Sequence, residues 1–147
     1  MLKLRKAVEE DCDILFDWAN EEECRKNSFS TEPIPYENHC NWVKNQLVRK
    51  DSDLFILQED EPVGMLRLDY QGDGATISYS IARNLRGKGY GKKILQLAEE
   101  FVRENRSEKY LMGEVKKENS ISRYLFTLLG YQETEEGTCI KYLKEIL

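Results

Sequence analysis

A chain of 147 residues can bury roughly two-thirds of its unfolded surface in one core, and residues 1–147 read as a single domain. With 33% charged and 40% hydrophobic residues, it has the balance of a globular protein and not of a disordered one. A net charge of −5 excludes the broad basic face of a general nucleic-acid binder, and no apolar run of about 18 residues is present to cross a membrane.

The N-terminus, Met1-Leu2-Lys3-Leu4-Arg5-Lys6, meets Glu9-Glu10-Asp11 without an apolar stretch, so no signal peptide is expected and the cytoplasm is the expected location. Leu2 to Val8 predicts a strand. A helix follows from about Asp11 to Ala19, with a pattern that extends to Arg25. After a polar loop, a second helix starts near Pro35 and runs to Val48, since proline fits a first helical turn. Asp53–Gln58 and Val63–Tyr70 predict a hairpin around Glu59-Asp60-Glu61-Pro62, and Gln71-Gly72-Asp73-Gly74 turns the chain into a strand over 75–82. An amphipathic helix comes next, with Ile94, Leu97, Ala98, Phe101 and Val102 inward. A strand at Tyr110–Val115 leads to a helix over Asn119–Leu129, stopped by Gly130. Tyr131–Thr134 and Thr138–Leu143 close the chain as a hairpin. The expected fold is α/β (α+β): a mixed, mostly antiparallel sheet with one parallel pair, flanked by helices.

The most informative stretch is Arg86-Gly87-Lys88-Gly89-Tyr90-Gly91, between a strand and a helix. Glycines at alternate positions let a ligand approach the backbone, and the helix start offers unpaired N–H groups and partial positive charge. Arg83, Arg86, Lys88, Lys92 and Lys93 crowd the same segment without an acid, so an anion such as a diphosphate suits it. The spacing is neither a Walker A loop nor a dinucleotide fingerprint. A solvated turn with a basic rim is the plain alternative. The four cysteines, Cys12, Cys24, Cys40 and Cys139, lack C-x-x-C spacing, and there is one histidine. Free thiols and no metal are therefore expected.

Glu114 interrupts an apolar strand, on the face of Tyr110 and Met112. A buried carboxylate there is costly unless a site solvates it, and it would suit a general base. The alternative is an exposed strand end, with Glu114 bonded to Lys116 or Lys117. In the N-terminal third, Trp18, Asn20, Arg25, Asn27 and Ser28 precede the loop, while His39 and Trp42 share a helix face at i, i+3. Tryptophan or histidine can stack on a base or sugar, and Arg25 can hold a phosphate bidentately. Core anchors and solvated ion pairs are the ordinary alternatives.

Ile81, Arg86, Gly87, Gly89 and Gly91 ahead of that helix resemble the acetyl-CoA signature of the GNAT N-acetyltransferase superfamily. The element order agrees over essentially the whole chain, as do Asn119 and the Gly130-Tyr131 pair. The resemblance implies a GNAT-like fold with a splayed parallel pair and acetyl-CoA as acyl donor. It implies a cofactor site of Ile81, Arg86, Gly87, Lys88, Gly89, Tyr90, Gly91 and Asn119, with the pantetheine arm along Ser80-Ile81-Ala82. It also favours Glu114 as the base that deprotonates an amine for direct attack. The tyrosine that the family often places seven residues after Asn119 is here Phe126, and Tyr124 points about 140° away on a helix. The leaving thiolate therefore lacks its usual acid. The spacing W-x-N-x-x-x-x-R-x-x-S, followed by Ile34, His39 and Trp42, resembles GNAT enzymes acting on UDP-linked 4-amino-6-deoxy sugars in pseudaminic-type pathways. It implies that Asn20, Arg25, His39 and Trp42 bind a nucleotide amino sugar. A ribosomal-protein-type N-terminal acetyltransferase and a non-catalytic acyl-CoA-binding module are the alternatives, and a homodimer is left open.

Overall fold

The computed structural model describes residues 1–147. Its elements are β1 (Lys3–Lys6), α1 (Cys12–Ala19), α2 (Glu22–Asn27), α3 (Tyr36–Val48), β2 (Ser52–Gln58), β3 (Pro62–Gln71) and β4 (Gly74–Ile81). Then come α4 (Tyr90–Asn105), β5 (Tyr110–Lys116), α5 (Ser120–Leu128), β6 (Gln132–Glu136) and β7 (Cys139–Glu145). Seven strands form one sheet in the order β1-β2-β3-β4-β5-β7-β6. Only β4 and β5 pair in parallel, and every other neighbour is antiparallel. The mixed sheet, its parallel pair and the flanking helices match the fold expected from the sequence.

Both faces of the sheet are covered at its centre. Along β2, Phe55 and Leu57 join a core of 19 buried residues shared with α4 and α5, whereas Leu54 and Ile56 meet α1 and α3 through Ala7, Leu15 and Val43. This is why Leu54–Leu57 read as an unbroken apolar run and not as an alternating one. α4 buries Ile94, Leu95, Ala98 and Val102. Leu95, which the sequence pattern left out, thus belongs to the core, and Leu97 and Phe101 sit at its margin.

The first helix ends at Ala19, as expected, and does not take the longer course to Arg25. Asn20 separates it from α2, which starts after Glu21, whose carboxylate accepts the Glu23 N–H (2.8 Å). The predicted strand over Leu2–Val8 narrows to Lys3–Lys6. There Arg5 turns its guanidinium onto Asp11 in a bidentate pair (2.8 and 2.9 Å), and Asp11 also accepts the Val8 N–H (2.8 Å). The Arg5 hydrogen bond outweighs burial and holds the Asp11 carboxyl below the usual carboxylate range.

Two outcomes follow from this packing. A Cβ at Gly113 of β5 would come within 2.6 Å of the Phe126 ring, which is stacked on Tyr142 and cannot retreat. Gly113→Ala is expected to cost about 1–3 kcal/mol, seen as a Tm lower by roughly 3–10 °C in calorimetry. Because Asp11 has a folded pKa below its unfolded one, its contribution is full above the ordinary carboxylate range and is lost as pH falls through the folded value. The Tm gap between the wild type and Asp11→Asn should be widest near neutrality and narrow below about pH 4.

Candidate active site

β4 and β5 pair only at Gly74↔Tyr110, Ala75↔Leu111 and Thr76↔Met112, although β4 continues to Ile81 and β5 to Lys116. Beyond Thr76 the strands part. On its other edge β4 stays bonded to β3, with the Ala82 N–H donating to the Val63 carbonyl (2.8 Å). Antiparallel alternation therefore turns the backbone groups of Ser78 and Ser80 toward β3 and those of Tyr79 and Ile81 into the gap. The gap has the edge chemistry to pair with an amide-bearing chain.

The glycine loop lies just past the end of β4. Gly87 and Gly89 take φ of +77° and +88°, and no atom lies within 4 Å of where their Cβ would stand. Side chains are thus excluded by conformation, and the backbone is bare to solvent. Gly91 serves differently: its missing Cβ admits Leu125 Cδ1 at 2.9 Å, bringing α4 and α5 together. Exposed Arg83, Lys88, Lys92 and Lys93 have no carboxylate partner within 4.0 Å. A bare backbone at a helix start, ringed by unpaired cations, fits a diphosphate. Two of the expected residues have other duties. Tyr90 packs its ring at the margin of the core, and Arg86 bonds the Ile81 carbonyl (3.1 Å) and pairs with Glu21. Burial raises Glu21, but Arg86 and the Glu23 N–H outweigh it and hold it low. Asn119 caps α5, accepting the Ser122 N–H (3.3 Å) through Oδ1 and leaving its amide NH2 unbonded.

The acceptor side departs from expectation. Glu114 is not a buried carboxylate: its side chain is 49% exposed, and its nearest cation is Lys141, its cross-strand neighbour on β7, at 3.9 Å. The cause is the cover: α3 packs on β2, and the same face of β7 leaves Leu143 exposed. His39 is 3% exposed, with its Nε2–H donating to the Cys12 carbonyl (3.1 Å) and its ring edge-on to Phe16. Burial lowers its pKa, and the carbonyl bond opposes only part of that. Trp42 packs against the smaller core, with the Arg67 guanidinium 5.6 Å above its ring. Asn20 clamps Ile34 through both backbone groups (2.9 and 2.8 Å). Arg25 donates to the carbonyls of Ala19 (2.6 Å), Ser30 (3.0 Å) and Glu32 (3.1 Å) and to Ser28 Oγ (3.1 Å). Asn20 and Arg25 build the loop, and His39 is buried in its helical base, so the polar groups of these three are already bonded within the protein. Trp42 is half-buried and makes no such bond.

A family profile described as "Acetyltransferase (GNAT) domain" matches residues 1–132. The chain belongs to the GNAT acetyltransferase family. No curated protein matches its sequence. Among solved structures, a domain from Methanocaldococcus jannaschii is similar at 22% identity and a TM-score of 0.86, covering 99% of this chain and 98% of that one. Spermidine N-acetyltransferase from Vibrio cholerae, solved with CoA and spermine, is similar at 16% identity and a TM-score of 0.89, covering 98% and 95%. An acetyltransferase from Salmonella typhimurium that modifies the N-terminal serine of ribosomal protein L7/L12 is similar at 14% identity and a TM-score of 0.84, covering 99% and 95%. At these identities the likeness establishes the fold.

Within this GNAT domain, two site features escaped the sequence reading, and a third, at Phe126 and Tyr124, agrees with it. Helix α2 spans the mouth of the gap, tied at one end by Glu21 to Arg86 and at the other by its Lys26 carbonyl to Lys116 Nζ (3.0 Å). Tyr79 and Ser122 share a hydrogen bond at 2.7 Å across the gap's helical side. Phe126 is buried in an aromatic stack with Tyr142, ring centroids 5.1 Å apart, whereas Tyr124 is exposed. The alternation of Ile77, Tyr79 and Ile81 on the core face was the available signal for Tyr79, since a phenol placed there needs a partner. His39→Ala tests the structural role assigned to its ring. A loss of roughly 1–3 kcal/mol in thermal or urea unfolding is expected, with CoA affinity unchanged in calorimetry.

Proposed function

We propose that this N-acetyltransferase of the GNAT type transfers acetyl from acetyl-CoA to a small cationic amine at the mouth between β4 and β5. The observation that carries the reading is the parted strand pair opening beside a bare, cationic glycine loop. Acetyl-CoA supplies an activated thioester. The N–H groups of residues 87–91, with Lys88, Lys92 and Lys93, hold the diphosphate. The backbone of Tyr79 and Ile81 pairs with the amides of the pantetheine arm, the Asn119 amide donates to it, and an N–H near Ile81 polarises the thioester carbonyl. Glu114, placed beyond the parting on the face of Met112, takes the ammonium proton directly or through water. The four free cysteines suit a reducing, cytoplasmic setting.

A cationic acceptor finds exposed carboxylates at the mouth. Glu22 and Glu23 lie on α2, Glu114 lies near the end of β5 and Glu118 in the turn after it, interleaved with Lys26, Lys116 and Lys117. An ammonium can pair with any of the four acids. Spermidine is the substrate named for one protein of the same fold, which agrees with this reading. A nucleotide amino sugar, the acceptor implied by spacing in the N-terminal third, would need a phosphate clamp. Arg25 is already bonded to four loop acceptors. The neighbour that modifies a ribosomal protein keeps a peptide N-terminus as the second reading.

Acetyl transfer from acetyl-CoA should be followed by mass spectrometry on spermidine, a serine-initiated peptide and a UDP-4-amino-4,6-dideoxy sugar in parallel. Acetylated polyamine is the expected product. Acetylation of the sugar alone would overturn the cationic-acceptor reading, and of the peptide alone would move the protein to the protein-modifying branch. CoA binding without turnover on any amine would make the domain a non-catalytic acyl-CoA binder. On the active acceptor, Glu114→Gln should lower kcat by roughly a hundredfold and shift the pH profile. Unchanged kinetics from about pH 6 to 9 would remove Glu114 from the mechanism.

A further inference from the structure

Transfer of acetyl to an amine leaves sulfur with an electron pair, and the surroundings of that sulfur decide how well it leaves. On the helical side of the gap the neighbours are apolar: Leu125 packs against Gly91, and the ring of Phe126 lies beneath Gly113. Arg123, the charged residue next to Ser122, is turned away to the Lys117 carbonyl (3.0 Å) and Glu133 (3.6 Å). A thiolate formed against such walls is costly unless a donor meets it. The Tyr79–Ser122 hydroxyl pair stands there, with the Tyr79 ring 6.4 Å from that of Phe126.

Its place along the strand matters as much as its chemistry. An arm anchored at the glycine loop and paired with Ile81 and Tyr79 runs back along β4 toward Thr76, where the paired strands close the gap. Tyr79 lies about 10 Å short of that closed end, at roughly 3.3 Å per residue. The reactive end of the arm therefore arrives beside the two hydroxyls.

We propose that Tyr79 and Ser122 act together as the hydrogen-bond donor to the departing sulfur, which makes Tyr79 a catalytic residue supplied by the strand and not by α5. The inference rests on the acetyl-CoA reading of the gap. The amine nitrogen bonds to the carbonyl carbon, the carbon–sulfur bond breaks, and its electron pair goes to sulfur. The proton shed by the amine is the one that finally rests on sulfur, so neither hydroxyl is consumed. Burial pushes the Tyr79 phenol above its ordinary range, so it stays protonated and able to donate.

The thiol of bound CoA reports on this pair without any acceptor. Protein saturated with CoA is titrated by thiolate ultraviolet absorbance, with protein saturated with desulfo-CoA as the blank. Tyr79→Phe keeps the ring and its packing, and with both proteins held saturated with CoA it should lower the ionisation constant of the bound thiol about tenfold. Ser122→Ala should lower it by less and serves as the second variant if Tyr79→Phe does not fold. Equal thiol ionisation in the wild type and the folded variants would overturn the proposal and leave the pair a structural brace. Failure of the wild type to bind CoA would instead sink the donor reading, and this inference with it.

Discussion

Two parallel strands that stop pairing after three residue pairs set the terms for the rest of this molecule. A sheet normally satisfies every backbone group it buries, so an interior gap leaves donors and acceptors that need another partner. Beside the gap the packing is tight. Phe126 sits under Gly113, stacked on Tyr142 and edge-on to Tyr131, with no room for a Cβ on that residue. A ligand carrying amides thus completes a sheet that the chain itself leaves incomplete.

The loop and the helices answer to that gap. Gly87 and Gly89 keep the loop beside the gap free of side chains, and Gly91 lets α4 approach α5 so that the helical wall is tight. On the opposite face, α1 and α3 form a small core of their own with β2. That core fixes where the loop after α2 is laid. Arg25 and Asn20, bonded to that loop's backbone, act as its internal frame.

Most of the architecture was legible in the sequence because its determinants are local. Apolar periodicity located α4, Pro35 marked the start of α3 and Gly130 the end of α5, turn residues located the β3 and β4 strands, and the glycine spacing located the loop. The misreadings share one cause: a residue type names a chemistry but not its partner. His39, Arg25 and Asn20 carry the groups that bind sugars and phosphates, yet backbone carbonyls close in space use those groups first. For Glu114 both burial and an exposed strand end were open, because strand alternation says which face a side chain takes and not whether anything covers that face. Helix α1 ends at Ala19, where the sequence placed its end, but the restart as α2 went unread for a related reason. The amide of Asn20 between them is satisfied by Ile34, fourteen residues on, a contact that exists only once the chain has folded.

Helix α2 is held to the loop by Glu21 and Arg86 and to the end of β5 by Lys26 and Lys116. It therefore belongs mechanically to both banks of the mouth. No residue of this helix is buried, so it has no core contact of its own to fix its position. Its place across the mouth is set by two tethers, one from each bank, and the loss of either would leave the helix hinged on the other.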